Sequence, residues 1–90
     1  MNALTEHEFL ILDELYFVTS YQEILQQLSM DAEVFHKTLI SLLEKGFVIQ
    51  LKYNASIKDF ERLEQPEPAT LEISSYVASR QGLLIHNSRE

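Results

Sequence analysis

The fold is decided by the stretch SYQEILQQLSMDAEVFHKTLISLLEKGFVIQLKY, which runs from Ser20 to Tyr53. Its pattern predicts, in order, a short helix, a turn, a longer helix and a β-strand. We expect the two helices over residues 20–28 and 31–45, and the strand over residues 47–53. The rest of the chain is interpreted outward from this unit.

Residue types at the boundaries of these elements support the prediction. Ser20 and Glu23 have the S-x-x-E spacing of a capping box, in which a hydroxyl and a carboxylate each satisfy a free backbone N–H. Asp31 is suited to cap the longer helix. Lys45 and Gly46 are a basic last turn and a glycine free to take positive φ, so they predict the end of that helix.

The longer helix has one apolar stripe. Its members Phe35, Leu39, Leu42 and Leu43 stand at i, i+4, i+7 and i+8, which predicts that they share one buried face. On the opposite face we expect Val34, Lys37 and Ser41. Glu33 lies four residues before Lys37, a spacing that favours an ion pair along the helix.

Two segments carry a resemblance to a known fold. L-x-x-L-L-E-K-G-F-V, over residues 39–48, is similar to the recognition helix and first wing strand of winged helix-turn-helix domains of the MarR and ArsR types of bacterial regulator. Y-V-A-S-R-Q-G, over residues 76–82, resembles the Y-x-L-T-x-x-G that closes their wing, although Ala78 and Ser79 replace the usual Leu and Thr. The resemblance implies a winged-helix fold and, by analogy, DNA binding in the cytoplasm.

The expected architecture is therefore a single α+β domain over residues 1–90. It is a small winged helix-turn-helix with a three-helix core, a two-stranded wing with a long insert, and a short C-terminal helix. Beyond the central stretch, we expect helix 1 over residues 5–17, the second wing strand over residues 70–78 and the terminal helix over residues 80–87. Within the insert, the spacing of Ile57, Phe60 and Leu63 predicts one or two helical turns.

Composition limits the function. Fourteen acidic and seven basic side chains give a net charge of −7, whereas duplex-binding domains usually carry a basic face. There is no cysteine, and His7, His36 and His86 lack metal-binding spacing, so we expect neither a metal nor a cofactor. No glycine-rich phosphate loop or G-x-S-x-G motif occurs, and we expect no enzyme activity. No run of residues is long and apolar enough for a membrane span, which favours a soluble cytoplasmic protein.

Two functions remain open. The first, which we favour because regulators commonly use this fold, is a small transcriptional regulator whose third helix enters the major groove of double-stranded DNA. The second is an acidic winged-helix module that binds a protein partner and no nucleic acid. The candidate DNA contacts are Val34, His36, Lys37, Ser41, Lys45, Lys52, Lys58 and Arg62.

The first helix has more apolar surface than one small core needs. It either lies at the centre of a three-helix cluster or also packs on a second subunit together with the apolar terminal helix. We expect the second arrangement, a homodimer. The candidate interface residues are Leu10, Ile11, Leu15, Leu83, Leu84 and Ile85.

Overall fold

The computed structural model describes residues 4–88 and has an α+β fold, which confirms the predicted class. In chain order the elements are α1 (Glu6–Asp13), β1 (Thr19–Ser20), α2 (Tyr21–Gln27), α3 (Ala32–Glu44), β2 (Val48–Asn54), β3 (Asp59–Arg62), a 3-10 helix (Pro68–Ile73), β4 (Ser75–Ala78) and α4 (Arg80–Asn87). The strands form one antiparallel sheet in the order β1-β4-β2-β3. Within residues 4–88, no helix combines the length and the apolar character needed to cross a membrane.

The helices begin at side chains that cap them, and Ser20 and Asp31 are the caps that the sequence predicts. Thr5 and Glu8 form a capping box at α1, and Ser20 and Glu23 form a second one at α2. Asp31 caps α3, since its Oδ1 accepts hydrogen bonds from two backbone N–H groups of the first turn at 2.9 and 3.3 Å. These local bonds satisfy donors that a helix start leaves without partners, and they fix where each helix begins.

Helix α1 ends at Asp13, four residues before the predicted end. The chain leaves the helix because Leu15 is drawn into the core while its carbonyl accepts a hydrogen bond from the backbone N–H of Ala78 at 2.9 Å. The Tyr16 hydroxyl then reaches α4 and donates to the side chain of Asn87 at 3.0 Å. Packing against β4 and α4 therefore outweighs the helical pattern of this segment.

The prediction of helical turns between residues 56 and 63 is wrong. Residues 59–62 of this segment form β3, which pairs with β2 so that Tyr53 lies opposite Phe60. The two rings contact edge to face, with centroids 5.4 Å apart. A tight turn precedes β3, and Lys58 takes a positive φ of 53° within it. The spacing of the apolar residues fits a hairpin as well as a helix, and pairing with β2 selects the hairpin.

The predicted second wing strand begins later than expected. Residues 70–73 belong to the 3-10 helix, and β4 starts only at Ser75. Pro68 suits the first turn of a helix because its φ is fixed and its missing N–H is not needed there. A side chain of β4 also stabilises this 3-10 helix, since the Tyr76 hydroxyl donates a hydrogen bond to the carbonyl of Leu71 at 2.6 Å. Burial raises the pKa of Tyr76 well above its ordinary value.

The core lies between the helices and one face of the sheet. The predicted stripe of α3 is confirmed, because all four of its side chains are buried. Val48, Tyr76 and Ala78 are the sheet residues that join this core. The other buried apolar members are Ile11, Leu12, Leu15, Tyr21, Ile24, Phe35, Leu39, Leu42, Leu43 and Leu71.

The two glycines serve different purposes. Gly46 has a φ of +78°, as predicted for the residue that ends α3. Gly82 lies in α4, where a Cβ would stand 2.0 Å from the carbonyl oxygen of Phe47. The approach of α4 to the start of β2 is therefore possible only without a side chain at residue 82.

This difference predicts two unequal losses of stability. Gly46→Ala adds a Cβ in ordinary contact with Gln81 and costs about 1 kcal/mol through its positive φ. Gly82→Ala drives a methyl group into backbone, so we expect a loss of about 3 kcal/mol or more. Urea unfolding followed by circular dichroism measures both. A loss for Gly82→Ala no larger than that for Gly46→Ala would contradict the close approach.

Candidate functional site

A buried carboxylate lies between α1 and α3. Glu8 is only 3% exposed, and its Oε1 accepts the backbone N–H of Thr5 at 3.0 Å. Its Oε2 accepts Lys45 Nζ at 2.7 Å and the Ser41 hydroxyl at 3.3 Å. Two of the candidate DNA contacts, Ser41 and Lys45, are therefore bonded to α1.

The hydrogen bonds decide the charge state of this carboxylate. Burial alone would raise the pKa of Glu8, but the bonds from Lys45, the Thr5 backbone and Ser41 outweigh it and hold the pKa below 4.5. Glu8 is consequently ionised at neutral pH. The ammonium of Lys45 is matched by a fixed negative charge, which reduces what it offers to a phosphate.

Two further candidates on α3 are partly covered. His36 is half-buried, and its Nδ1 lies 3.2 Å from the hydroxyl of Tyr21 on α2. Val34 is also half-buried, and its carbonyl accepts the Thr38 hydroxyl at 2.7 Å. The candidates on α3 thus point in several directions and form no single cationic stripe.

The exposed side of α3 is acidic. Glu33, Lys37 and Glu44 are its exposed charged side chains ahead of Lys45. Among the ion pairs that the described residues form within 4.0 Å, Glu33 and Lys37 have none, so the predicted pair is not made. Two carboxylates and one ammonium therefore face solvent from this side of α3.

The candidates on the β2–β3 hairpin are not equivalent. Lys52 Nζ lies 2.8 Å from a carboxylate oxygen of Glu67, and that contact, against a smaller effect of burial, lowers the pKa of Glu67. Lys58 and Arg62 are exposed, and neither has an ion-pair partner among residues 4–88. Six of the candidate DNA contacts are lysine, arginine or histidine side chains. Among residues 4–88, only three of these six are both exposed and without an ion-pair partner, namely Lys37, Lys58 and Arg62.

Sequence reasoning missed the residue that places the insert. Gln50 is buried, and its Oε1 accepts the backbone N–H of Glu67 at 2.8 Å. Its Nε2 donates to the Ser74 hydroxyl at 2.9 Å and lies 3.3 Å from the Glu67 carbonyl. One amide thus holds the chain on both sides of the 3-10 helix, at Glu67 between the two prolines and at Ser74. A glutamine inside the otherwise apolar run Val48–Leu51 is the signal that would have indicated it.

An apolar groove lies where this segment passes α3. It has a volume of about 210 Å³. The residues that line it are Ile40, Leu43, Glu44, Pro66, Pro68 and Leu71. Both prolines lack a backbone donor, so the wall that they form is apolar, and Glu44 places a carboxylate at the α3 side.

The predicted dimer interface is only partly available. The prediction is wrong for Ile11 and Leu15, because neither has exposed surface and both pack in the core. Leu83 and Ile85 are half-buried against the same core, and Leu10 and Leu84 alone are exposed. Part of the apolar surface predicted for the first helix is thus used within one chain, whereas Leu10 and Phe17 remain exposed.

The histidines are placed apart. His86 is buried between α1 and α4, stacked on Phe9 with ring centroids 4.3 Å apart and with its Nδ1 3.1 Å from the Tyr16 hydroxyl. Its Nε2 lies 3.2 Å from a carboxylate oxygen of Asp13 but without the alignment of a hydrogen bond. Over residues 4–88, no group of three His, Cys, Asp or Glu side chains is arranged to hold a metal ion. His86 joins two helices.

Comparisons of this chain with protein-family models, curated proteins and solved structures found no match.

The Glu8 contacts predict a specific dependence of stability on pH. Because the folded-state pKa is lowered, the contribution of Glu8 is complete above about pH 4.5 and is lost as the pH falls through that pKa. We expect Glu8→Gln to be about 1–2 kcal/mol less stable than the wild type at pH 7, and this gap to close towards pH 3. Urea unfolding at both pH values measures it.

Glu64→Gln serves as the control, because Glu64 is exposed. Its stability should follow the wild type at both pH values. A gap between Glu8→Gln and the wild type that stays constant with pH would contradict the ionised, hydrogen-bonded carboxylate.

Proposed function

We propose that the chain is a winged helix-turn-helix domain that binds a protein partner and not duplex DNA. The order of the elements supports the fold: α2 and α3 are joined by a short turn, β2 follows α3, and β4 lies between β1 and β2. In this interpretation β2 and β4 are the two wing strands. The hairpin strand β3 and the 3-10 helix are the long insert between them.

The observation that carries the functional proposal is the charge on the exposed side of α3. A protein begins to bind duplex DNA by neutralising phosphates with Lys and Arg, and each phosphate contact releases counterions. Here Lys45 is matched by Glu8, and Lys37 shares its face with Glu33 and Glu44. The phosphates of a major groove would meet two carboxylates on α3 for each free ammonium.

The groove between α3 and the insert supports a protein partner. Its walls are apolar, and Glu44 stands at its side. The chain as a whole has a net charge of −7, which attracts basic partners over long range. The partner that fits this surface is a protein segment with an apolar side chain for the groove and basic residues beside it.

DNA binding is kept as the second candidate because three cations remain without ion pairs among the described residues. They are Lys37, Lys58 and Arg62. Two of them belong to the β2–β3 hairpin, where a winged-helix domain would follow the DNA backbone. This reading requires them to outweigh the acids on α3.

Binding to a mixed-sequence duplex of about 24 base pairs, measured by fluorescence anisotropy at about 20 mM salt, distinguishes the two candidates. We expect no binding by the wild type up to about 100 μM. Replacing both Glu33 and Glu44 by Lys should produce non-specific binding at about 10–100 μM that weakens as salt rises. Glu14→Lys with Glu72→Lys changes the net charge equally outside α3 and should bind more weakly.

Salt-dependent duplex binding by the wild type would overturn the proposal in favour of DNA. Absence of binding by the Glu33→Lys, Glu44→Lys variant would instead contradict the assignment of α3 as the helix that faces a groove.

The groove predicts a second result. Ile40→Glu places a carboxylate in the apolar wall, and we expect at least a tenfold loss in the amount of protein that the immobilised chain retains from nuclease-treated native lysate, measured by quantitative mass spectrometry. Leu84→Glu on α4 is the matched control and should retain the same proteins as the wild type. Equal retention by all three chains would contradict binding at the groove.

A further inference from the structure

The two faces of the sheet differ in their surroundings. Side chains alternate along β2, so that Val48 and Gln50 point towards the helices, while Ile49, Leu51 and Tyr53 point the other way. Antiparallel residues directly opposite each other share a face. On β2, β3 and β4 the face away from the helices, called here the open sheet face, therefore consists of Ile49, Leu51, Tyr53, Phe60, Arg62, Ser75 and Val77.

The open sheet face is mainly apolar although it points away from the helices. Five of its seven residues are apolar, and of these Leu51 is buried while Ile49 and Val77 are half-buried. Tyr53 is 59% exposed and Phe60 is 39% exposed, and these two rings contact each other. The uncovered face of an antiparallel sheet normally carries polar side chains. An exposed apolar patch of this kind is typical of a surface that binds another molecule.

This face also lacks carboxylates. On β3 the acids Asp59 and Glu61 lie opposite Asn54 and Lys52, on the side of the sheet that faces the helices. The only charged side chain among these seven residues of the open sheet face is Arg62. Two copies of a chain with a net charge of −7 repel each other, and this repulsion is weakest when they meet through a surface without carboxylates.

We infer that the open sheet face binds a second copy of this chain. The pairs Leu51–Arg62 and Tyr53–Phe60 are successive rows of the same face. The two-fold axis of the dimer runs between these two rows, perpendicular to the strands. It places the Leu51–Arg62 row of one copy against the Tyr53–Phe60 row of the second copy. Arg62 then lies over the Phe60 ring of the second copy, where a cation–π contact accommodates its charge.

Joining of the two sheets at their edges is disfavoured. The edge strand β3 would pair with itself around a two-fold axis so that residues on the same face stand opposite each other. The two central registers place either Glu61 against Glu61 or Asp59 against Glu61. Like charges directly opposite destabilise a strand pair, and charged edge strands are a known protection against such pairing. The face, and not the edge, is left for self-association.

The size of the face sets the strength of the dimer. Three strands spaced about 4.8 Å apart, with about five residues each, cover roughly 14 by 17 Å. This is well below the roughly 800 Å² that each partner buries in a standard interface. We therefore expect a weak dimer, with a dissociation constant between about 10 μM and 1 mM.

Sedimentation equilibrium from about 10 μM to 1 mM tests the inference and is independent of the partner proposed for the groove. The wild type should dimerise, and dimerisation should strengthen severalfold between about 20 and 300 mM salt, because salt screens the repulsion between two acidic chains. An interface made of ion pairs would weaken instead. Circular dichroism on the same samples reports whether each variant is folded.

Tyr53→Thr with Phe60→Thr keeps strand-forming residues but removes both rings, and we expect at least a tenfold loss of affinity. Arg62→Glu, a single exposed change, should produce a similar loss by placing a carboxylate on the face. Leu10→Gln with Leu84→Gln is the control for an interface through α1 and α4 and should dimerise like the wild type. A wild type that remains monomeric at 1 mM protein and 300 mM salt overturns the inference. It is also overturned if the open-face variants dimerise like the wild type, or if the control variant loses affinity as they do.

Discussion

A single buried carboxylate determines how α3 is presented to solvent. Glu8 takes part in the capping box of α1 and at the same time accepts hydrogen bonds from Ser41 and Lys45. A buried charge needs partners, because desolvation without compensation is costly. Lys45 is therefore held against α1, and the remaining exposed side of α3 carries Glu33, Lys37 and Glu44. The exposed side of α3 is therefore acidic because the buried carboxylate of Glu8 needs Lys45 as its partner.

Local signals made much of the fold predictable. The capping boxes, the stripe of α3 and the positive φ of Gly46 depend on residues close in sequence, and the structure has all of them. The early end of α1 and the strand β3 depend on contacts with distant segments, namely β4 and β2. A pattern of apolar residues cannot select between two local structures when the deciding partner is far along the chain.

The candidate site was less predictable for a related reason. Helical spacing places Ser41 and Lys45 on the outward half of α3, near its boundary with α1. Their direction is set by Glu8, which lies 33 residues from Ser41 and 37 from Lys45. Helical spacing also could not show which apolar residues of α1 belong to the core and which remain available for an interface. Ile11 and Leu15 fill the core, and only Leu10 among the α1 candidates is exposed.

The two proposed surfaces lie on opposite sides of the sheet. The groove is built by α3 and the insert, which Gln50 holds against the helix side. The open sheet face points away from the helices. Association through that face therefore leaves both copies of the groove uncovered and presents them together.

In this arrangement the weak dimer would place two grooves within reach of one partner. A basic partner with two suitable segments would occupy both grooves, and the second binding event would be intramolecular at an effective concentration that can reach millimolar values. Binding of such a partner would in turn stabilise the dimer, because it links the two copies and offsets their mutual repulsion. A shallow groove and a small sheet face, each weak alone, would then act together. Acidity that opposes self-association in the free chain would favour it once a basic partner is bound.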